Sequence, residues 1–194
     1  MRKTLLLVLV AFAFVRTAGA QNNAYFPIDT AETLGLDSFV VKWYSEQLKG
    51  LGEPVLFNAN IKNEVYRFTW LRTFHHPVAI RIEKHDNIYI LYWKMSSGAG
   101  GYSPGKLVLD KQKVITVANW KEFMARLKEI NFWNLKATEK GRGNDGSEWV
   151  LEGKTAKGYR VVSRWTPNAD SNYYKCCNYL LELTGLSIKD AEKY

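Results

Sequence analysis

The stretch from residue 148 to residue 185 constrains the fold more than any other part of the chain, because it contains two strand patterns, a turn and a helix pattern in succession. Residues 148–151 and 159–165 are rich in β-branched and aromatic side chains and flank a segment with two glycines, which is typical of a β-hairpin. Pro167 ends the second strand, because proline has no N–H to give to a sheet. Apolar residues then recur at helical spacing over 171–184. We therefore expect a hairpin followed by a helix that packs on it.

The charges of this hairpin suggest its register. Opposing residues of an antiparallel pair share a face of the sheet. A register that places unlike charges opposite each other therefore also gathers most of the apolar residues on the other face. Placing Glu152 opposite Arg160 also places Glu148 opposite Arg164, and it turns Trp149 toward the core. Such cross-strand pairs contribute about 0.2–1 kcal/mol each. We expect these four charged residues to form structural pairs rather than a ligand site.

The first 20 residues have the pattern of a secretory signal peptide. Arg2 and Lys3 precede an apolar run at 5–15, and Ala18, Gly19 and Ala20 supply the small residues of a cleavage site. The run is shorter than the about 20 residues that cross a bilayer. We expect cleavage after Ala20, an exported protein that is periplasmic or secreted, and no transmembrane segment in the mature chain.

Two further bounds come from charge and cysteine content. Loss of three cationic residues with the signal lowers the formal net charge from +8 to +5, which suits anionic envelope surfaces but is explained equally by solubility.

Cys176 and Cys177 are adjacent, about 3.8 Å apart at their Cα atoms, whereas a disulfide normally spans about 4.4–6.8 Å. We expect two buried thiols in a helix, with a redox or intermolecular role as the alternative.

The whole pattern predicts an α+β fold with a mainly antiparallel sheet of about six strands and three helices, in the order α-ββββ-α-ββ-α. A first helix begins after Asp37, and a second begins at Asn119. The first four strands are expected at 65–73, 78–83, 88–95 and 106–117, and the last of these could instead be a hairpin around 110–112. One domain then spans 21–186, its helices lie on one face of the sheet, and a charged tail at 187–194 frays.

Residues 88–95 are apolar on both faces of their strand, which is typical of a central strand or of one beside a binding groove. A loop rich in glycine and serine follows at 96–105, and we expect it to be exposed and mobile. Aromatic rings with an exposed face and a polar edge suit sugars and peptides. Tyr92 and Tyr102 are therefore the predicted ligand-binding residues.

No linear motif predicts a catalytic residue, a metal site or a cofactor. Residues 101–105 match the G-x-S-x-G nucleophile elbow, but no helix pattern follows Ser103 and no histidine occurs later in the chain. His75 and His76 would point to opposite faces of a strand, and His85 lies beyond the next strand. Residues 157–162 share part of the RNA-recognition signature but lack its stacking rings, so we expect no nucleic acid.

These observations favour an exported, non-catalytic binding module for an envelope ligand or a protein partner. The alternative is a hydrolase acting on cell-wall or polysaccharide substrates, with carboxylates gathered from separate strands. Glu148 and Glu152 do not supply that pair, because at about 3.3 Å per residue they lie about 13 Å apart, and an inverting pair needs about 6.5–9.5 Å.

Overall fold

A computed structural model describes residues 24–27, 33, 36–59, 63–139, 141 and 143–194. The predicted signal peptide at 1–20 lies outside these residues. Three helices are described: α1 (Ser38–Gly50), α2 (Val117–Glu129) and α3 (Asn172–Thr184). Six strands are described: β1 (Glu64–Arg72), β2 (Val78–His85), β3 (Ile88–Ser96), β4 (Leu107–Ile115), β5 (Ser147–Thr155) and β6 (Gly158–Trp165). The predicted α+β class and element order are confirmed.

The six strands form one antiparallel sheet in the order β4-β3-β2-β1-β5-β6. Strand β3, which we expected either at the centre or beside a binding groove, lies second from one edge. One face of β3 buries Leu91 and Trp93, while the other leaves Ile88 exposed and Tyr92 half-buried. Its apolar character on both sides therefore does not reflect burial on both sides.

Helices cover both faces of the sheet, which corrects the expectation that all of them lie on one. Helices α2 and α3 pack on the face that carries Phe68 and Trp149. Helix α1 packs on the opposite face, against Leu71 and Val161 among others. The reason is that β1, β5 and β6 carry apolar residues on both parities, so each face needs a cover to remove that surface from water.

Side chains cap the start of each helix. The Asp37 carboxylate accepts from the Val40 N–H at 2.9 Å, as predicted. Helix α2 is capped by Thr116 rather than Asn119, and α3 by Ser171. Gly185 ends α3 in the left-handed conformation, with φ 72°. The caps agree with the predicted boundaries to within a few residues.

The register of the β5–β6 hairpin differs by one residue from the predicted register. Four opposed pairs define it: Glu148 with Trp165, Trp149 with Arg164, Glu152 with Val161, and Gly153 with Arg160. The two glutamates therefore lie on the α1 face and the two arginines on the α2–α3 face. A one-residue shift exchanges the faces of a strand, so the predicted Glu–Arg pairs do not form.

The charges of the hairpin find partners outside it, which is why pairing charges across the hairpin gave the wrong register. Glu152 binds Arg67 of β1 through two hydrogen bonds of 2.7 and 2.8 Å. Arg164 forms an ion pair with Glu139 at 2.9 Å. Arg160 donates to the Leu135 carbonyl. Contacts to other segments, which local pairing rules ignore, decide the register here.

Both cysteines are buried in α3 and unlinked, in agreement with the predicted buried thiols. Burial raises the pKa of Cys176 to about 12 and raises that of Cys177 as well. Within the described ranges, no helix combines the length and apolar character that a membrane span requires.

Candidate functional site

A groove of about 520 Å³ opens beside the first half of α1. Its walls come from α1, the turn after β1, the glycine-rich loop at 97–105, the loop before β5 and the end of β6. The residues that line it are Phe39, Lys42, Trp43, Glu46, Thr73, Gly101, Tyr102, Gly143, Asn144 and Trp165. Five segments that are distant in sequence thus meet around one opening.

Exposed aromatic rings surround this groove, which we call the aromatic groove. Phe39 is 73% exposed, Tyr102 is 65% exposed and the neighbouring Phe74 is 57% exposed. The Phe74 and Tyr102 rings lie with their centroids 6.4 Å apart. Contiguous exposed apolar surface of this kind marks interaction sites in soluble proteins, because it gains from being covered.

The glycine-rich loop that carries Tyr102 is exposed at its tip, residues 101–103, while Gly100 is buried, and hydrogen bonds fix the loop on both sides. The Gln47 side chain donates to the Tyr102 carbonyl at 2.6 Å, and the Trp43 indole donates to the Gly100 carbonyl at 2.8 Å. The Gly101 N–H donates to the Thr73 carbonyl at 3.2 Å. These bonds hold the loop against α1 and β1, so the Tyr102 ring sits on a supported backbone.

The close approach of this loop to its neighbours explains why it contains so many glycines. A Cβ on Gly100 would lie 2.6 Å from backbone atoms of Leu71 and Arg72, and one on Gly98 would lie 1.9 Å from the Ser103 oxygen. No side chain fits at these distances. The glycines therefore let the loop pack tightly enough to hold Tyr102 at the rim of the aromatic groove.

Tyr92, the other predicted ligand-binding residue, lies apart from the aromatic groove. It is half-buried on β3, and the Arg81 guanidinium lies over its ring at 4.3 Å. Arg81 in turn binds Glu53 at 2.9 Å. The structure thus places Tyr102 at the groove and Tyr92 beside a network of charges.

This charge network is buried between the sheet and the segment that follows α1. Glu53 lies within 3.5 Å of Arg67, 2.9 Å of Arg81 and 3.3 Å of Lys94. The Arg67 and Glu152 side chains are fully buried, and the Tyr159 hydroxyl donates to Glu152 at 2.9 Å. Every carboxylate in the network thus already has a cationic partner.

The two buried carboxylates of the network titrate differently. Burial alone would raise the pKa of Glu53, but Arg67, Arg81 and Lys94 outweigh it and lower that pKa below its ordinary value. Complete burial raises the pKa of Glu152, and Arg67 opposes this increase. The bidentate contact with Arg67 keeps Glu152 engaged as an acceptor. We assign the network a structural role, because both of its carboxylates are buried and bonded to cationic side chains.

The other residues weighed in the sequence also have hydrogen-bond partners. Ser103 accepts from the Gly105 N–H at 3.4 Å in a loop with no following helix, so the geometry of a nucleophile elbow is absent there. The three histidines contact three different groups: His75 the Tyr194 hydroxyl, His76 the Gly98 carbonyl, and His85 the Glu83 and Asn63 side chains. In the part of the chain that the structure describes, no group of three or more His, Cys, Asp or Glu is placed to hold a metal ion.

Sequence reasoning missed three rings of the aromatic groove: Phe39, Trp43 and Trp165. Phe39 carried a detectable signal, because it falls off the apolar stripe of α1 and puts an aromatic ring on the polar side of that helix. Trp43 and Trp165 carried none, since each fits the apolar pattern of its own element.

No protein-family model matches the sequence, and no curated protein matches it significantly.

Proposed function

We propose that this protein is an exported, non-catalytic binding module whose aromatic groove takes a carbohydrate-containing ligand of the cell envelope. The observation that carries the proposal is the gathering of exposed rings from separate segments around one opening. Burying such rings inside the fold would stabilise it, so their exposure on fixed backbone is better explained by a ligand that covers them. The signal-peptide pattern supports export.

The mixture of rings and polar groups supports a sugar-bearing ligand. Rings such as Phe39 and Tyr102 offer flat apolar faces, while Lys42, Glu46 and Asn144 offer donors and acceptors at the same opening. Sites with apolar walls and a few placed polar groups are typical of small-ligand recognition. The positive charge of the mature chain favours approach to anionic polymers.

The hydrolase alternative has less support. Glycoside hydrolysis uses two carboxyl groups on either side of the bond that is cleaved. Glu46 is the one acidic residue among the described residues that line the aromatic groove. Turnover of peptidoglycan or polysaccharide that a single Asp or Glu replacement abolishes would establish the alternative and refute the binding module.

Calorimetric and tryptophan-fluorescence titrations with peptidoglycan fragments and polysaccharides, at low and high salt, test the proposal. We expect saturable binding that survives high salt, since screening removes charge attraction but not ring contacts. Tyr102→Ala and Phe39→Ala should each weaken binding about tenfold or more, a loss of about 1.4 kcal/mol, without lowering Tm. Val114→Ala is the matched control, because Val114 is 71% exposed on β4 and does not line the groove.

Three results would contradict the proposal. Binding that disappears at high salt would show that charge attraction, and not contact with the rings, holds the polymer. Equal affinities for Tyr102→Ala and the wild type would place the ligand elsewhere. The absence of binding to any of these polymers would favour a protein partner instead.

A further inference from the structure

The tail at 187–194, which we expected to fray, folds back onto the end of the sheet. A single turn spans Asp190–Glu192, and Ile188 packs against the core under α2 and α3. The backbone oxygen of Tyr194 then lies among side chains of β1 and β5. The tail is thus bound to the domain by specific contacts.

Three donors converge on this one oxygen. The Ser147 hydroxyl donates to it, and the Trp70 indole N–H lies 3.4 Å from it. The Trp149 indole N–H also lies 3.4 Å from it, but its shorter hydrogen bond, at 2.8 Å, goes to the Ser147 hydroxyl oxygen. The two tryptophans are buried, at 0% and 1% exposure. One main-chain oxygen is therefore contacted by an O–H group and, at longer range, by two indole N–H groups among buried rings.

A buried cation lies beside these donors. Arg72 is 2% exposed, its guanidinium stacks 4.4 Å from the Trp70 ring, and it reaches Glu192 of the tail at 3.3 Å. Its Nε has no hydrogen-bond partner among the described residues. The Tyr194 hydroxyl also contacts the His75 ring at 2.7 Å. Glu192 thus compensates part of a buried positive charge.

The sheet itself fixes the positions of these groups. Trp70 lies opposite Trp149 in the β1–β5 ladder, and Arg72 lies opposite Ser147. All four residues belong to paired strands, so their positions do not depend on the tail. We call these four residues the donor cradle. It presents donors and a cation, so its occupant must supply acceptor oxygens and negative charge.

We propose that the donor cradle, together with the neighbouring His75, is a peptide-binding site for acidic segments with a nearby tyrosine, and that residues 187–194 occupy it in cis as a displaceable plug. The bound segment is recognised through three of its groups. Its backbone carbonyl accepts hydrogen bonds from Ser147 and the indoles, its carboxylate pairs with Arg72, and its phenol contacts His75. This site lies on the opposite face of β1 and β5 from the aromatic groove, so it does not depend on the function proposed there.

A peptide with the sequence of residues 187–194, labelled at its N-terminus, tests the proposal against the full chain by fluorescence anisotropy. A tethered segment acts at an effective concentration of about millimolar. The wild type should therefore bind the peptide weakly. A chain with Glu192→Ala and Tyr194→Ala together should bind it about tenfold or more tightly, and its tryptophan emission should shift to the red as Trp70 and Trp149 gain solvent.

Replacements on both sides of the complex locate the binding. In the tail variant, Arg72→Met should abolish peptide binding, whereas Ser38→Ala, which is exposed on α1, should leave it unchanged. Because Arg72→Met also risks the fold, the peptide itself is varied: its Glu192→Gln and Tyr194→Ala forms should each bind several-fold more weakly to an intact domain.

Two results would overturn the proposal. Equal peptide affinity in the wild type and the tail variant, or no binding in either, would show that the tail is not a competing ligand. Unchanged affinity for both altered peptides would show that Arg72 does not recognise the carboxylate and that His75 does not recognise the phenol.

Discussion

Replacing Glu152 by glutamine should be among the most destabilising single changes in this domain. Glu152 and Arg67 are both fully buried, and two hydrogen bonds of 2.7 and 2.8 Å join them. A neutral amide can still accept from the Tyr159 hydroxyl, but it removes the charge opposite Arg67. The guanidinium would keep Glu53 at 3.5 Å and the Pro54 carbonyl at 2.6 Å as its compensation.

Breaking a buried ion pair by removing one partner costs about 3–5 kcal/mol, since the other charge stays buried without its counterion. A domain of this size is stable by about 5–15 kcal/mol in total. We therefore expect Glu152→Gln to lower Tm by roughly 10 °C, at about 2–4 °C per kcal/mol. Urea unfolding followed by tryptophan fluorescence gives the free energy directly.

The double variant Arg67→Met with Glu152→Leu separates a buried-charge effect from a packing effect. Replacing both members of a buried pair by apolar residues of similar volume is often neutral or stabilising. We expect the double variant to be more stable than either single variant, which is strong non-additivity between contacting residues. A loss of stability below about 1 kcal/mol for Glu152→Gln would refute the reasoning. So would a loss for the double variant that equals the sum of the losses for Arg67→Met and Glu152→Leu alone.

Three further predictions concern other parts of the fold. Because Arg67, Arg81 and Lys94 lower the pKa of Glu53 below its ordinary 4.5 despite burial, its ionised form stabilises the fold above that pH. The stability difference between the wild type and Glu53→Gln should thus shrink as pH falls through the lowered pKa; a difference that grows in acid would contradict this. Gly98→Ala should cost about 1–3 kcal/mol by overpacking, measured by urea unfolding, because its Cβ would meet the Ser103 oxygen; wild-type stability would contradict it. The two buried thiols of α3 should react with a thiol reagent at pH 8 only as fast as the domain opens, and rapid reaction in the native state would contradict their burial.

The predictions that succeeded rest on local physics. The periodicity of α1 and α3, the Asp37 cap and the Gly185 terminator depend on residues within one or two turns of each other. The strand alternation around Phe68 and Ile80 is local in the same way. Element order and fold class follow from such signals, and the structure confirms both.

The predictions that failed depend on contacts between distant segments. The hairpin register was derived from pairing glutamates with arginines across a single turn, but Glu152 instead binds Arg67, 85 residues away. The tail was predicted to fray because its sequence is charged, yet Glu192 meets a buried Arg72 at 3.3 Å. A charged residue looks solvated in the sequence until its partner from another strand is known.

Both surfaces for which we propose functions illustrate this division. The sequence alone determined that Tyr102 sits in an exposed glycine-rich loop, because glycine and serine patterns report on the local backbone. Only the tertiary structure gathered Phe39, Trp43 and Trp165 around that ring, and only the β1–β5 pairing set Trp70 beside Trp149. The periodicity of a sequence shows which side of its own helix or strand a residue occupies. A binding site is formed by several helices, strands and loops, and the packing of the whole core decides which of them lie next to each other.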